Sequence, residues 1–266
     1  MRCALILSLL LVWVATRLAM AASGEEPAKM AHQLPDQSDA AVIVLEYRGG
    51  FTPPRKSDEP TLLIQADGTV ILGAPFGMHK RVQASISADR LQELLRFALD
   101  ANRLAEFDAV KARQQMQASG NLIAIADAAT TVIRIHADGK QHEASFYALD
   151  MMASQFPKIG SLRQLNAVRR RLEGLRAEIN AGGPGSIAVQ LRVLNARLRA
   201  QHPKVPVLTA DDLQSAWQHA NGDLYVAFQR TDKLDGGRAR YISGNIQYPK
   251  TGDPKITINV NTAFAE

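Results

Sequence analysis

Cysteine is nearly missing from this chain. Among 266 residues the one cysteine is Cys3, inside an N-terminal apolar segment. Beyond that segment there is no thiol, which excludes disulfides, cysteine nucleophiles, thiolate metal sites and a lipid-modified cysteine. A fold without such staples rests on its hydrophobic core. Also missing are the Gly-x-Ser-x-Gly elbow, the Walker loop, the dinucleotide fingerprint and the calcium-loop consensus. Asp232 to Gly236, "DKLDG", lacks the ligand alternation and closing glutamate of a calcium loop and reads as a hairpin turn. After Ala21 no apolar run nears the roughly 20 residues that cross a bilayer. No catalytic residue, metal site or cofactor is assigned from the sequence.

What is present begins with an address. Arg2 supplies a short positive region, Ala4 to Ala15 an apolar run of signal-peptide length, and Ala19-Met20-Ala21 a cleavage signal. The expectation is export, with cleavage after Ala21 and a secreted or periplasmic mature chain. Residues 22–39 are polar, proline-containing and aperiodic, and read as a flexible leader. The 245 residues beyond Ala21 suffice for one large domain or two small ones.

Val42 to Tyr47 is a β-branched strand ending at Gly49-Gly50. Residues 48–60 carry two glycines and three prolines and read as a rigid surface loop. Pro53 and Pro54 lack the amides a phosphate cradle needs, and no helix pattern follows. Thr61 to Leu72 reads as strand, Asp67-Gly68 type I′ turn, strand. A strand at Arg81 to Ile86 precedes a helix capped by Ser87, with Leu91, Leu94, Leu95, Ala98 and Leu99 at helical spacing. Leu104, Phe107 and Val110 mark a second helical piece, and Leu122 to Ala126 a short strand. Thr131 to Tyr147 is a second hairpin; its "IHADGK" echoes the "IQADGT" at Ile64.

That second hairpin crowds His136, Asp138, His142 and Glu143 into eight residues. With Asp138-Gly139 as the turn, His136 pairs with Gln141 and Ile135 with His142. Paired residues share a face and neighbours alternate. One face then carries Ile133, Ile135, His142, Ala144 and Phe146. The other carries Arg134, His136, Gln141, Glu143 and Ser145. A one-residue slip would mix the two sets. The histidines point to opposite faces and cannot share an ion, and Arg134 lies across from Glu143. The stretch is a hairpin, not a metal site.

Ser161 to Asn180 is a helix with Leu162, Leu165, Val168, Leu172, Leu175 and Ile179 on one stripe. Gly182 to Gly185 ends it, and a second helix carries Ile187, Leu191, Leu194 and Leu198. The pair reads as a helical hairpin. Thr209 and Asp212 cap a third helix, with Leu213, Ala216, Trp217 and Ala220 facing the core. Strands around Leu224 to Phe228, Tyr241 to Tyr248 and Ile256 to Val260 close the chain as a meander.

Charge is unevenly spread. From Lys158 to Gln201, nine basic residues face two acids, Glu173 and Glu178, for a net +7. The whole chain is +5, and +3 without Arg2 and Arg17, so the rest of the mature sequence is −4. The candidate binding residues are Arg169, Arg170, Arg171, Arg192, Arg197 and Arg199. One reading presents them to an anionic envelope component or partner protein. The other has them solvate helix faces and pair with acids elsewhere. The segment has no aromatic residue to stack on bases, which argues against nucleic acid.

The strings "LEYRGGFTPPR", "PTLLIQADGTV" and "ADAATTVIRIHADGK" together resemble a group of exported bacterial proteins with a Gly-Gly-Phe loop and Asp-Gly hairpins. The resemblance covers about Val42 to Leu149. It implies export and an α+β domain. The group has no assigned activity, so no residue role is carried over.

The sequence thus specifies an α+β protein: an antiparallel sheet with packed helices at 40–157, an Arg-rich helical hairpin connector at 158–201, and a helix plus three-stranded meander at 202–266. Its expected role is a non-catalytic binding or interaction module of the cell envelope. The alternative is an extracytoplasmic hydrolase that works through a carboxylate pair.

Overall fold

The computed structural model describes residues 31–50, 60–73, 82–120, 125–219, 221–234 and 238–264. The expected signal segment, its cleavage point and residues 22–30 lie outside these, as do most of the 48–60 loop, residues 122–124 and the end of the Asp232 to Gly236 turn. Ile125 and Ala126 are not in a strand.

The first sheet contains β1 (Ala41–Arg48), β2 (Leu62–Gln65), β3 (Thr69–Leu72), β4 (Val82–Ser85), β5 (Thr130–Ala137) and β6 (Lys140–Tyr147). The order is β4-β3-β2-β1-β5-β6, with every neighbour antiparallel. β1 lies inside the sheet, and its run Val42 to Leu45 is buried throughout.

The β5–β6 register is the one the apolar pattern requires. Ile135 faces His142, Arg134 faces Glu143 and Ala137 faces Lys140. Asp138 and Gly139 both have positive φ, 54° and 68°, as a type I′ turn demands. Ile133, Ile135, Ala144 and Phe146 are buried.

The look-alike turn at Asp67 differs from the expected type I′. Ile64 pairs with Val70 and Leu62 with Leu72, which leaves an odd-numbered loop. Gly68 N donates to Gln65 O at 3.0 Å, and Gly68 alone carries positive φ, 83°. This is a three-residue loop closed by a glycine bulge. The cause is burial. Leu62, Ile64, Val70 and Leu72 must share the core face, and a two-residue turn would set Ile64 against Ile71. Gly68 also pairs with Ile86, whose N donates to Gly68 O at 2.9 Å.

Residues 33–39, expected as flexible leader, dock on both turns. Gln33 N donates to Asp138 Oδ1 and Asp138 N to Gln33 O, each at 2.8 Å. Asp67 N donates to Ser38 O at 3.0 Å.

Helix α1 (Ala88–Arg96) starts on Ser87, whose hydroxyl accepts from Arg90 N, and widens into a π turn at Phe97–Ala101. Helix α2 (Ala109–Ala118) is capped by Asp108, which accepts from Val110 N and Lys111 N. Val110 is outside the core, 60 % exposed. A short helix with no clear sequence period, α3 (Leu149–Gln155), buries Leu149, Met152 and Ala153. Helix α4 (Gly160–Asn180) and helix α5 (Gly183–Gln201) are separated by two residues, not four. Pro184 sits in the first turn of α5, where its missing N–H leaves no bond unmade.

Helix α4 serves two cores. Leu162, Leu165, Val168, Leu172 and Leu175 join the core of the first sheet. Ala177, together with Ala181 just past the helix end, joins a second core with Ile187, Leu194, Leu198, Val226, Phe228, Ile242 and Ile246.

The second sheet corrects the expected C-terminal helix. Its strands are β7 (Leu213–Gln218), β8 (Leu224–Leu234), β9 (Arg238–Tyr248) and β10 (Lys255–Phe264), in the order β10-β9-β8-β7. The meander therefore has four strands. The Thr209–Asp212 capping box does form, but it opens only the single 3-10 turn Ala210–Asp212. Leu213 to Gln218 then pairs with the edge of β8, through a bulge at Gln214. Pairing satisfies β8 amides that a helix would have left exposed. Trp217 points away from buried Ala216 and is 38 % exposed, so it is not a core residue. Gly244 lets the helix layer press on the sheet: a Cβ there would come within 3.0 Å of Leu208 and 3.1 Å of Leu194.

The twin turns should respond differently to alanine. At Gly139 a Cβ meets nothing within 4 Å, so Gly139→Ala costs only the left-handed penalty, about 1 kcal/mol. At Gly68 a Cβ would lie 2.3 Å from Ile86 O, so Gly68→Ala must also displace backbone. Urea unfolding should show the larger loss for Gly68→Ala; equal losses would contradict the assigned turn geometries.

Candidate functional site

The Arg-rich segment divides into two populations. Most charges on α4 are paired, chiefly with the first sheet and its helices. Arg169 donates to Asp150 Oδ1 of α3 at 2.5 Å and to Asn166 Oδ1 at 2.8 Å. Arg171 reaches Glu93 of α1 at 2.6 Å. Arg90 of α1 grips Glu178 with both terminal guanidinium nitrogens, at 2.7 and 2.6 Å. Glu178 keeps the Arg90 guanidinium charged even more firmly than usual, mainly through that hydrogen bond. Arg176 lies 3.3 Å from Glu173. These are partly exposed pairs, each worth on the order of 1 kcal/mol or less.

Glu173 also accepts the Tyr47 hydroxyl at 2.7 Å, which ties β1 to α4. Burial holds the Tyr47 phenol well above the ordinary tyrosine range; the negative Glu173 adds to this, and Arg169 opposes it. On β5, Arg134 bonds chiefly to Glu46 of β1 and stands 4.0 Å from the cross-strand Glu143.

Arg170, Arg192, Arg197 and Arg199 form no ion pair or side-chain hydrogen bond with the described residues. The structure does not gather them. Arg170 lines a cleft of about 1330 Å³ bounded by α1, α4, the start of α5 and β7. Leu94, Phe97, Ile187, Leu191 and Leu213 form its apolar walls. Gly174 belongs to its floor, and a Cβ there would meet nothing within 4 Å. Three of the cleft's carboxylates are committed, Asp150 to Arg169, Glu173 to Tyr47 and Arg176, and Glu178 to Arg90, while Asp211 forms no ion pair with the described residues.

The other three arginines decorate the outward side of α5. This helix contains no acid. Its buried stripe is Ile187, Gln190, Leu194 and Leu198. A second, exposed stripe runs Val189, Val193, Ala196 and Ala200, stepping by four, three and four residues. Val189 and Val193 are 53 % and 40 % exposed. Seven residues apart, Arg192 and Arg199 border one side of this strip, and Arg197 borders the other. The spacing was readable in the sequence; the burial that selects between the two stripes was not.

Among the described residues no three His, Asp or Glu side chains converge as a metal group. No described helix is long and apolar enough to cross a membrane.

The Tyr47–Glu173 bond predicts a pH effect. In the unfolded chain Tyr47 ionises near pH 10, while in the fold it stays protonated above that. Its stabilising contribution is complete below about pH 10 and is lost as the pH rises further. Tyr47→Phe should therefore lose stability less steeply than the parent above about pH 10 in denaturant titrations. Identical slopes would remove Tyr47 as the cause.

Comparison with protein-family models, with curated proteins and with solved structures gives no match to this chain.

Proposed function

We propose that the protein is a non-catalytic binding module of the cell envelope whose outward α5 face engages an anionic partner. One observation carries this reading. Arg192, Arg197 and Arg199 have no acid partner among the described residues and flank an exposed valine–alanine strip. Cations left without acids draw an anion, and the strip offers apolar area to bury beside it. A second copy of the same face would bring arginine against arginine, so charge disfavours self-pairing. The α4 arginines have a different task, since Arg169 and Arg171 pair with Asp150 and Glu93. Hydrolysis by a carboxylate pair has weaker support, because Asp150, Glu173 and Glu178 of the cleft are each held by a cation, which leaves only Asp211 without one among the described residues.

Clustered anions occur on phospholipid surfaces and on acidic polymers, and two assays separate them. The protein is sedimented with phosphatidylglycerol or phosphatidylcholine vesicles, and titrated with alginate, at low and high salt. Binding to one anionic probe, lost at high salt, is expected. The variant Arg192→Glu/Arg197→Glu/Arg199→Glu should weaken it by roughly two orders of magnitude, taking about 1 kcal/mol per arginine. Arg171→Ala should leave it unchanged. Salt-insensitive binding, or none to either anionic probe, overturns the reading.

A further inference from the structure

The helices press on one face of the second sheet. On the other face the side chains are exposed or half-buried, apart from the small Ala239. This face has an uncommon composition. Its outward positions run from Ser215 on β7 to Asn261 on β10 and include no carboxylate. Lys255 and Lys233 are charges at its two margins. The interior is neutral: Gln229, Ser243, Asn245 and Asn259 occupy neighbouring strands.

Aromatic rings mark the two ends. Trp217 stacks on Tyr225 with centroids 5.5 Å apart and planes within 6°. β7 is an edge strand, so no strand lies against the other side of the indole. Tyr241 is 39 % exposed and pairs with Thr231, six residues along β8 from Tyr225. At strand rise this separates the aromatic ends by about 20 Å. Between them, the amides of Gln229, Asn245 and Asn259 form no hydrogen bond with the described residues.

Each element suits one ligand chemistry. A pyranose ring shows a C–H-lined face that packs on an aromatic ring, and equatorial hydroxyls that need paired donors and acceptors. Indole and phenol supply the first. Side-chain amides supply the second, because each offers both a carbonyl and an NH₂. A polyanion would need cations inside the face, and a lipid would need an apolar patch. Neither is there. We propose that this face binds an uncharged, β-linked pyranose chain lying along the strands between Trp217 and Tyr241. The site is separate from the α5 arginines.

The chain has two tryptophans, Trp13 and Trp217, so in a Trp13→Phe background the emission reports Trp217 alone. The full chain is titrated with cellohexaose and with N-acetylchitohexaose, by tryptophan emission and by calorimetry. At least one sugar should bind saturably, with an affinity indifferent to salt. Trp217→Ala, followed by calorimetry, and Tyr241→Ala should each raise Kd up to about tenfold while the melting temperature holds. Binding of neither hexasaccharide overturns the proposal. So does binding unchanged in a folded Trp217→Ala variant. A salt-sensitive response abolished by the α5 charge reversal also overturns it, and assigns the sugar to the arginines instead.

Discussion

The packing of one helix into two hydrophobic cores is the constraint on which the rest depends. α4 has 21 residues and is about 31 Å long. Leu162 to Leu175 cover the first sheet, and Ala177 enters the second core. Among the described residues the two sheets share no strand pairing. α4 and the short Ala181–Gly182 link set where α5 begins, and α5 then lies on the second sheet through Leu194 against Gly244. The segment read as a connector is therefore part of both cores, and Gln33–Glu266 is one compact unit.

The fate of each arginine follows from this arrangement. On α4 the flanks beside the buried stripe look onto α1, α3 and β1, where Glu93, Asp150 and Tyr47 stand. Pairing there satisfies half-buried charge, and Glu178 reaches back to Arg90 for the same reason. On α5 the side opposite the core looks onto nothing described, and the helix brings no acid of its own. Arg169 and Arg171 thus become structural ties on one helix, while Arg192, Arg197 and Arg199 form an open electrostatic surface on the next. The separation of cations from acids gives the protein a directed field, which its modest net charge conceals.

The two Asp-Gly hairpins show how far local pattern reaches. At Asp138, alternation of apolar and polar residues on both strands fixed one register, and the turn chemistry agreed with it. At Asp67 the same dipeptide suggested the same turn, yet the apolar positions Leu62, Ile64, Val70 and Leu72 require an odd loop. Pattern outranked turn preference, because several buried side chains outweigh one turn geometry. At Leu213 local pattern is ambiguous for another reason. A helical stripe and a bulged strand both bury Leu213 and Ala216, and a genuine capping box favoured the helix. The Asn221-Gly222 pair before Leu224 was the hairpin signal that pointed the other way. α3, a seven-residue helix, was too short to leave a clear period.

The sequence by itself determined what depends on neighbours along the chain. It set the α+β class, the second hairpin's register, the helices capped by Ser87 and carrying the Leu162 stripe, and the concentration of positive charge between Lys158 and Gln201. The tertiary structure decided what depends on residues far apart. It decided that Tyr47 meets Glu173, that Arg169 and Arg171 find acids while Arg192, Arg197 and Arg199 find none among the described residues, and that Trp217 leaves the core. Periodicity tells which residues share a face. Only packing tells what that face meets, because burial and pairing are properties of the assembled layers and not of any one segment.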